Sequence, residues 1–392
     1  MKRRILVLTS STGSGHDMRA RAFAQWIRQE YEDQVAVKIE QVIENSSWLG
    51  RFGVWIYNTI QQQAPVLHNI YFHIVELFIF THKGKVSFGG RYYRNLLEEF
   101  QPDTILSVHD STNRGYFEDA KRLLGQDVRC VTYCGEFSGG YGFSRNWICK
   151  AADLFIARTH PTRNFAVHLG LSQEQTAVFH KFLPPASFEE RSNDLENVRF
   201  LEQLGLDPKK FTVFLATGGY GANHHLDFLR AMLPLADRVQ AIVICGRNQR
   251  IFEKVSQWAA KNNQLTTYVE GYSDQVASFM QISDAIVTRG GANTTMEALH
   301  FGCPLLYNSL GGLMPQERCT VRYFLERGAA SMINKSGDLT RILAEWATFG
   351  DTYKRIKANL DDLHYEEDPQ ELLNLILGEI RKDQSLPEST AC

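Results

Sequence analysis

Short runs of apolar, β-branched residues alternate along this chain with stretches whose apolar positions recur at helical spacing. Residues 4 to 9 form the first run, which ends in Ser, Thr and Gly. The segment from about Asp17 to Glu30 then has helical periodicity, which predicts a strand, a glycine turn and a helix. Runs at 35 to 43, 104 to 108, 128 to 133 and 153 to 157 predict further strands with helices between them. Around residues 183 to 197, LPPASFEERSNDLEN, the composition turns to Pro, Ser, Asn and charge, as it does in an exposed linker. A second series follows, with strands expected at 211 to 217, 239 to 245, 266 to 270, 284 to 288 and 304 to 307. Strands alternating with helices imply parallel sheets covered on both faces, with a cleft at the strands' carboxyl ends. The expected class is therefore α/β, with two parallel-sheet halves. A last helical stretch, about 369 to 381, either closes the second half or crosses back to the first.

Residues 48 to 80 break this pattern. WLGRFGVWIYNTIQQQAPVLHNIYFHIVELFIF is dense in Trp, Tyr, Phe and Ile, and His82, Lys83, Lys85, Arg91 and Arg94 follow it. Apolar aromatics beside cations describe a surface that lies in a membrane interface and meets anionic headgroups. A buried helix pair with a solvated basic face is the alternative. Pro65 and the Gln run at 61 to 63 split the segment in two, as suits an insertion.

Composition narrows the class. With 44% hydrophobic and 22% charged residues the 392-residue chain buries a core, and at about 150 residues per domain it makes two or three domains. Its 42 basic and 44 acidic residues leave a formal charge of -2, so no global field gathers nucleic acid. The seven cysteines are scattered without a CxxC pair, which predicts a reduced, cytoplasmic chain with no structural zinc. Lys2, Arg3 and Arg4 precede an apolar run that stops after Leu8, too short for a signal peptide. No stretch reaches the ~18 to 20 apolar residues that cross a bilayer.

Three turns carry candidate chemistry. In T9-S-S-T-G-S-G-H16, Gly13 and Gly15 allow close backbone approach at a helix start, where negative charge is favoured. The spacing is neither GxGxxG nor a P-loop. His16 sits where strand becomes helix, with an ordinary pKa near ~6.5 suited to taking a proton; a purely structural histidine is the competing reading. In F214-L-A-T-G-G-Y-G, Thr217, Gly218, Gly219 and Gly221 offer backbone N–H groups to a diphosphate, although such glycines also merely cap or pack. In D284-A-I-V-T-R-G-G-A-N-T-T-M-E, a strand runs into Gly290 and Gly291, with Thr294 and Glu297 three apart on the helix behind them. A hydroxyl and a helix start can meet phosphate there while the carboxylate accepts from ribose hydroxyls; a capping box has the same spacing.

Taken in order, ICGRNQ (244 to 249), VEGYSDQVASFMQISDAIVTRGG (269 to 291), NTTMEAL (293 to 299) and MPQE (314 to 317), with ILVLTSSTGSGH and PDTILSVH before His109, resemble one family. They are similar to the monogalactosyldiacylglycerol synthases and bacterial processive diacylglycerol glucosyltransferases, and more distantly to the N-acetylglucosaminyltransferase that forms lipid II. The resemblance implies a GT-B fold of two Rossmann-like domains, residues 1–185 binding the acceptor and 196–392 the UDP-sugar, with a docking segment at 48–94. It implies inverting transfer without metal or cofactor. Gly271 and Tyr272 then fall where uracil is held. Gly291 and Thr294 match phosphate contacts, Glu297 the ribose carboxylate, and Gln316 with Glu317 the readers of sugar hydroxyls. Gly15, Arg247, Arg289, Gly290 and Asn293 complete the donor set. His16 matches the histidine at the acceptor, with Glu136 and His109 as substitutes. No D-x-D occurs in the chain, so positive helix ends must hold the leaving diphosphate.

Gly135-Glu136-Phe137 stands where glucosyltransferases of the family often have Thr-Asp-Phe. Arg289 stands where Lys or Ser is common, and Pro315-Gln316-Glu317 where Gly-Gln-Glu is usual. The expected reaction is transfer of glucose or galactose from UDP-sugar to a lipid hydroxyl, most naturally 1,2-diacylglycerol, at the anionic inner face of the cell membrane. Transfer of N-acetylglucosamine to a polyprenyl-linked or other glycan acceptor, or a non-catalytic UDP-sugar-binding module, are the alternatives.

Overall fold

The computed structural model describes residues 2–12, 15–63, 73, 74, 76, 77, 85–188, 192–216 and 224–378. The aromatic positions at 64–72 and 78–80, and the glycines Gly13, Gly218, Gly219 and Gly221, lie outside the described residues.

The first sheet contains β1 (Arg3–Leu8), β2 (Val35–Glu40), β3 (Thr104–Ser107), β4 (Arg129–Cys134), β5 (Leu154–Ala157) and β6 (Thr176–Val178), in the order β2-β1-β3-β4-β5-β6. The second contains β7 (Phe211–Ala216), β8 (Val239–Ile244), β9 (Thr267–Glu270), β10 (Ala285–Thr288), β11 (Leu305–Asn308) and β12 (Ala330–Ile333), in the order β12-β11-β10-β7-β8-β9. Every pairing within them is parallel. The short strands β6 and β12 are absent from the sequence reading, because TAV and ASMI are too brief to stand out as apolar runs.

Both sheets are buried on both faces, which is why their strands read as continuous apolar runs. Ile5 and Val7 point into one layer with Phe23 and Ile27 of the Gly15–Tyr31 helix. Leu6 and Leu8 point into the other, with Tyr93, Leu96 and Phe117. The second sheet alternates likewise, Val213 and Leu215 facing Phe228 and Trp346 while Phe214 and Ala216 face Phe279 and Met296.

Asn193 caps the Asp194–Gln203 helix reciprocally with Glu196, and this helix opens the second half of the chain. The last described helix, Pro369–Leu377, returns to the first half. Leu372, Leu373, Ile376 and Leu377 are buried in the layer that holds Ile5 and Phe23, and Arg129 donates to the carbonyls of Leu375 and Ile376. Ahead of it, Glu367 accepts the backbone N–H groups of His180 and Lys181. The approach to the last described helix is thus tied to the segment that links the two sheets. Leu373→Ala is expected to cost about 2–5 kcal/mol through the cavity it leaves, lowering Tm by roughly 5 °C or more in a thermal melt. An unchanged melting temperature would mean that the returning helix adds nothing to the first core.

Candidate active site

In an open parallel sheet a crevice forms where the strand order reverses, outside the carboxyl ends. That point falls between β1 and β3 in the first sheet and between β7 and β10 in the second. His16 follows β1, His109 follows β3, Glu136 follows β4, and Arg289 to Gly291 follow β10. The topology alone therefore brings most of the expected residues to facing edges.

On the first side His16 and His109 pack with ring centroids 4.2 Å apart. His109 accepts the N–H of Ser111 at Nδ1, so in the neutral ring Nε2 carries the proton and donates to Thr12 Oγ1 at 2.6 Å. His16 Nδ1 lies 2.8 Å from the carbonyl of Val108 and 2.7 Å from Arg19 Nη2. One nitrogen serves one of these at a time. Donating to Val108 leaves Nε2 bare, whereas accepting from Arg19 leaves Nε2 protonated. Burial, then the neighbouring His109 and Arg19, push the His16 pKa well below its usual value, and burial also lowers that of His109. Both shifts favour the neutral form of the rings.

Glu136 behaves in the opposite sense. Burial raises its pKa to about 7, against the pull of Arg19 and Arg158, and its Oε2 has no hydrogen-bond partner among the described residues. A carboxyl poised near neutrality with an idle oxygen is suited to proton transfer.

On the facing side Gly291 is the N-cap of the Ala292–His300 helix, which puts Thr294 in its first turn. Gly290 holds φ +95°, and a Cβ there would meet Val321 Cγ2 at 2.6 Å, so only glycine makes this turn. Asn293 Nδ2 donates to the carbonyl of Gly15 at 2.6 Å, joining the helix start of one half to the glycine turn of the other. Burial raises Glu297 to about 7, with Arg158 opposing. Farther along the sheet edge, Arg247 stacks on the exposed ring of Tyr272 with its Cζ 4.7 Å from the centroid, and Gly246 N donates to the carbonyl of Gly271. That pair makes an open platform.

The structure pairs two residues that the sequence treats separately. Arg289 holds both oxygens of Glu317, Nε to Oε1 and Nη2 to Oε2 at 3.2 Å each, and Glu317 also accepts the N–H of Met314. Glu317 is thus engaged in fixing Arg289 and the start of the Pro315–Glu326 helix. Gln316 Nε2 donates to the Tyr57 hydroxyl at 2.8 Å while its Oε1 is buried without a partner among the described residues.

Two cavities meet at this place. A cleft of ≈ 210 Å³ is lined by Gly15, Arg19, Arg289, Gly290, Gly291 and Thr294, and a larger cavity of ≈ 420 Å³ runs along Ile43, Leu49, Val54, Phe88 and Trp147. Thr12, His16, Tyr57, Glu136 and Gln316 line both. The larger space is walled by the Trp48–Gln63 helix, which leaves Trp48, Leu49, Phe52 and Trp55 exposed to solvent.

Sequence reasoning missed Arg19, Arg158 and Tyr57. Arg19 was legible in principle, as a cation one turn after His16 inside an otherwise apolar helix face. Arg158 directly follows β5 at the same carboxyl edge as His109 and Glu136, and its Nη1 donates to the carbonyl of Ala292 at 2.8 Å. Among the described residues no group of His, Cys, Asp and Glu is placed to hold a metal ion.

Comparison with known proteins agrees with this architecture. Residues 212–310 match the glycosyltransferase family 28 C-terminal domain. The chain is 23% identical to a processive diacylglycerol beta-glucosyltransferase of Bacillus subtilis, covering 96% of this chain and 95% of that one. It is 25% identical to monogalactosyldiacylglycerol synthase 1 of Arabidopsis thaliana, over 98% of this chain and 73% of that protein. Among solved structures it shares its fold with MurG of Acinetobacter baumannii, at a TM-score of 0.60, 14% identity and coverage of 96% and 99%. An Anabaena protein, HepE, solved with UDP, superposes at a TM-score of 0.54 and 14% identity over 93% and 94% of the two chains. The chain therefore has a GT-B fold whose residues 212–310 match the glycosyltransferase family 28 C-terminal domain, and along most of its length it is similar to the processive diacylglycerol glucosyltransferases and monogalactosyldiacylglycerol synthases that its motifs resemble.

Proposed function

We propose that this protein transfers a hexose from a UDP-sugar to the hydroxyl of diacylglycerol, with inversion, at an anionic membrane surface. One observation carries the reading: an apolar cavity walled by an exposed aromatic helix ends at His16 and Glu136, where it joins a polar cleft made of glycine turns and a helix start. A lipid alcohol fits the first space and a sugar diphosphate the second. The names of the relatives point to the same acceptor.

In this mechanism the acceptor oxygen attacks the anomeric carbon as the bond to the diphosphate breaks, and the acceptor proton passes to a base. Glu136 takes it, since its pKa lies near the working pH and its Oε2 is unoccupied. His16 positions the hydroxyl beside it. The leaving charge falls to the N-terminus of the Ala292–His300 helix, Thr294 and Arg289. Glu297 accepts from the ribose, and Arg247 with Tyr272 forms the uracil platform. Metal is absent from this scheme because the helix start and guanidinium supply the positive field.

Incubation with a panel of UDP-sugars and diacylglycerol vesicles, followed by mass analysis of the lipids, is expected to reveal a monohexosyl product. A preference for UDP-N-acetylglucosamine would point to the glycan-acceptor alternative, and absence of product with every donor would defeat the enzymatic reading. Glu297→Ala is expected to weaken UDP binding by about 10- to 100-fold in calorimetry, the loss of charge-assisted bonds to ribose. Because the ionised carboxylate is the better acceptor, wild-type affinity should rise with pH through about 7, and the variant should lose that rise.

A further inference from the structure

Arg19 is a cation that neither the sequence motifs nor the scheme above uses. It lies on the Gly15–Tyr31 helix, 4% exposed, yet lines the cleft that also contains Arg289, Gly290, Gly291 and Thr294. Its Nη2 reaches His16, while Nε and Nη1 are buried with no hydrogen-bond partner among the described residues. Buried, unsatisfied N–H groups on a charged side chain are costly and rare in a folded protein.

The surroundings do not neutralise it. Arg158, fully buried, is close enough to depress the Arg19 pKa to about 10 together with burial, and Arg158 Nε and Nη2 are also without partners among the described residues. Glu136 acts electrostatically on both arginines and Glu297 on Arg158, but no hydrogen bond joins either carboxyl to Arg19 or Arg158. Both carboxyls are pushed up to about 7, so neither is a full counter-charge at neutral pH. Space has been left for the guanidinium as well: a Cβ at Gly135 would lie 1.5 Å from Arg19 Nη1, so any other residue there would displace it.

We infer that Arg19 is a ligand of the leaving diphosphate, contributed by the acceptor-binding half of the chain, with Nε–H and Nη1–H donating to phosphate oxygens. This assignment rests on the UDP-sugar reading. It makes the diphosphate site a joint product of the two halves: Arg289 and the helix start supply one wall, and Arg19 the other. A planar guanidinium suits this contact because it presents paired donors in a fixed fork.

The test compares UDP with uridine by calorimetry on the full-length protein. Arg19→Gln is expected to weaken UDP by about 10-fold or more while uridine, which lacks the phosphates, keeps its affinity. Arg19→Lys should recover part of the loss, because it restores charge without the fork. A purely structural role would instead weaken both ligands together, and that result, or UDP affinity indifferent to Arg19→Gln, would overturn the assignment. If Arg19→Gln does not fold, the same comparison on Arg19→Lys decides, with an intermediate loss for UDP alone as the supporting outcome. Failure of the wild-type protein to bind UDP would instead overturn the nucleotide-sugar reading, and Arg19's role with it.

Discussion

Glu136→Gln is expected to lower kcat by about 10²- to 10⁴-fold, the usual worth of a positioned proton acceptor, with little change in UDP affinity. The variant keeps the size of the side chain and removes only its ability to accept the acceptor proton. His16→Ala should also cost about 10²-fold or more, through loss of the group beside it. The pH profile separates the two roles. A base works deprotonated, so kcat/KM falls as pH drops through the base's pKa. With Glu136 as the base, that fall is centred near 7, because burial raises its carboxyl to about 7. With His16 as the base, the fall would come well below 6.5, because burial, His109 and Arg19 depress the imidazole. A wild-type profile that stays flat from pH 8 down past 6.5 would transfer the base to His16. An acidic limb near 7 that survives in Glu136→Gln would show that the limb belongs to another group and remove Glu136 as the base.

The division between what the sequence revealed and what it hid follows from the range of the interactions. Periodicity and turn chemistry are local, and they located β1, β3, β7 and β10 together with the turns behind them. Once the strand order is known, those turns must converge, because they leave both sheets at their switch points. His16, His109, Glu136, Gly290, Gly291 and Thr294 were therefore within reach of the sequence. Contacts between segments far apart in the sequence were not. The pairing of Arg289 with Glu317 spans 28 positions, that of Gln316 with Tyr57 spans 259, and that of Asn293 with Gly15 spans 278. Nothing local in the chain signals such pairs. Arg158 was hidden for a related reason: a cation behind a buried strand looks like an ordinary solvated loop residue until the facing helix, with the carbonyl of Ala292, is brought against it. The direction of the Pro369–Leu377 helix was likewise undetermined by its own amphipathic pattern, which fits either core; only the packing of Leu373 and Ile376 against the first sheet resolves it.

Replacing Phe52 and Trp55 together by Ser is expected to weaken binding to anionic vesicles by about 10- to 100-fold, since each aromatic surrenders apolar area that the interface would otherwise cover. The two rings stack with centroids 5.6 Å apart and are 49% and 59% exposed, on the same helix stripe as Trp48 and Leu49 at spacings of one turn. Four large apolar side chains held together in water mark a contact surface. The opposite face of this helix is structural: Gly50 lies so close to the Ile43 carbonyl that a Cβ would meet it at 1.9 Å, so the helix is fixed against the body of the protein and its exposed stripe presents outward. Arg51 on this helix and Arg91 are both exposed, and each is worth about 1 kcal/mol against anionic headgroups when it reaches the surface. No described helix is long and apolar enough to cross a membrane. Liposome flotation at low and high salt measures the effect. Turnover of diacylglycerol embedded in vesicles should fall in parallel, whereas a short-chain acceptor dissolved in water should still react, because neither Phe52 nor Trp55 lines the cavity that leads to Glu136. Equal flotation of the double variant and the wild type on anionic vesicles would remove this helix from membrane docking. Equal losses on both acceptors would show that the aromatics shape the cavity itself.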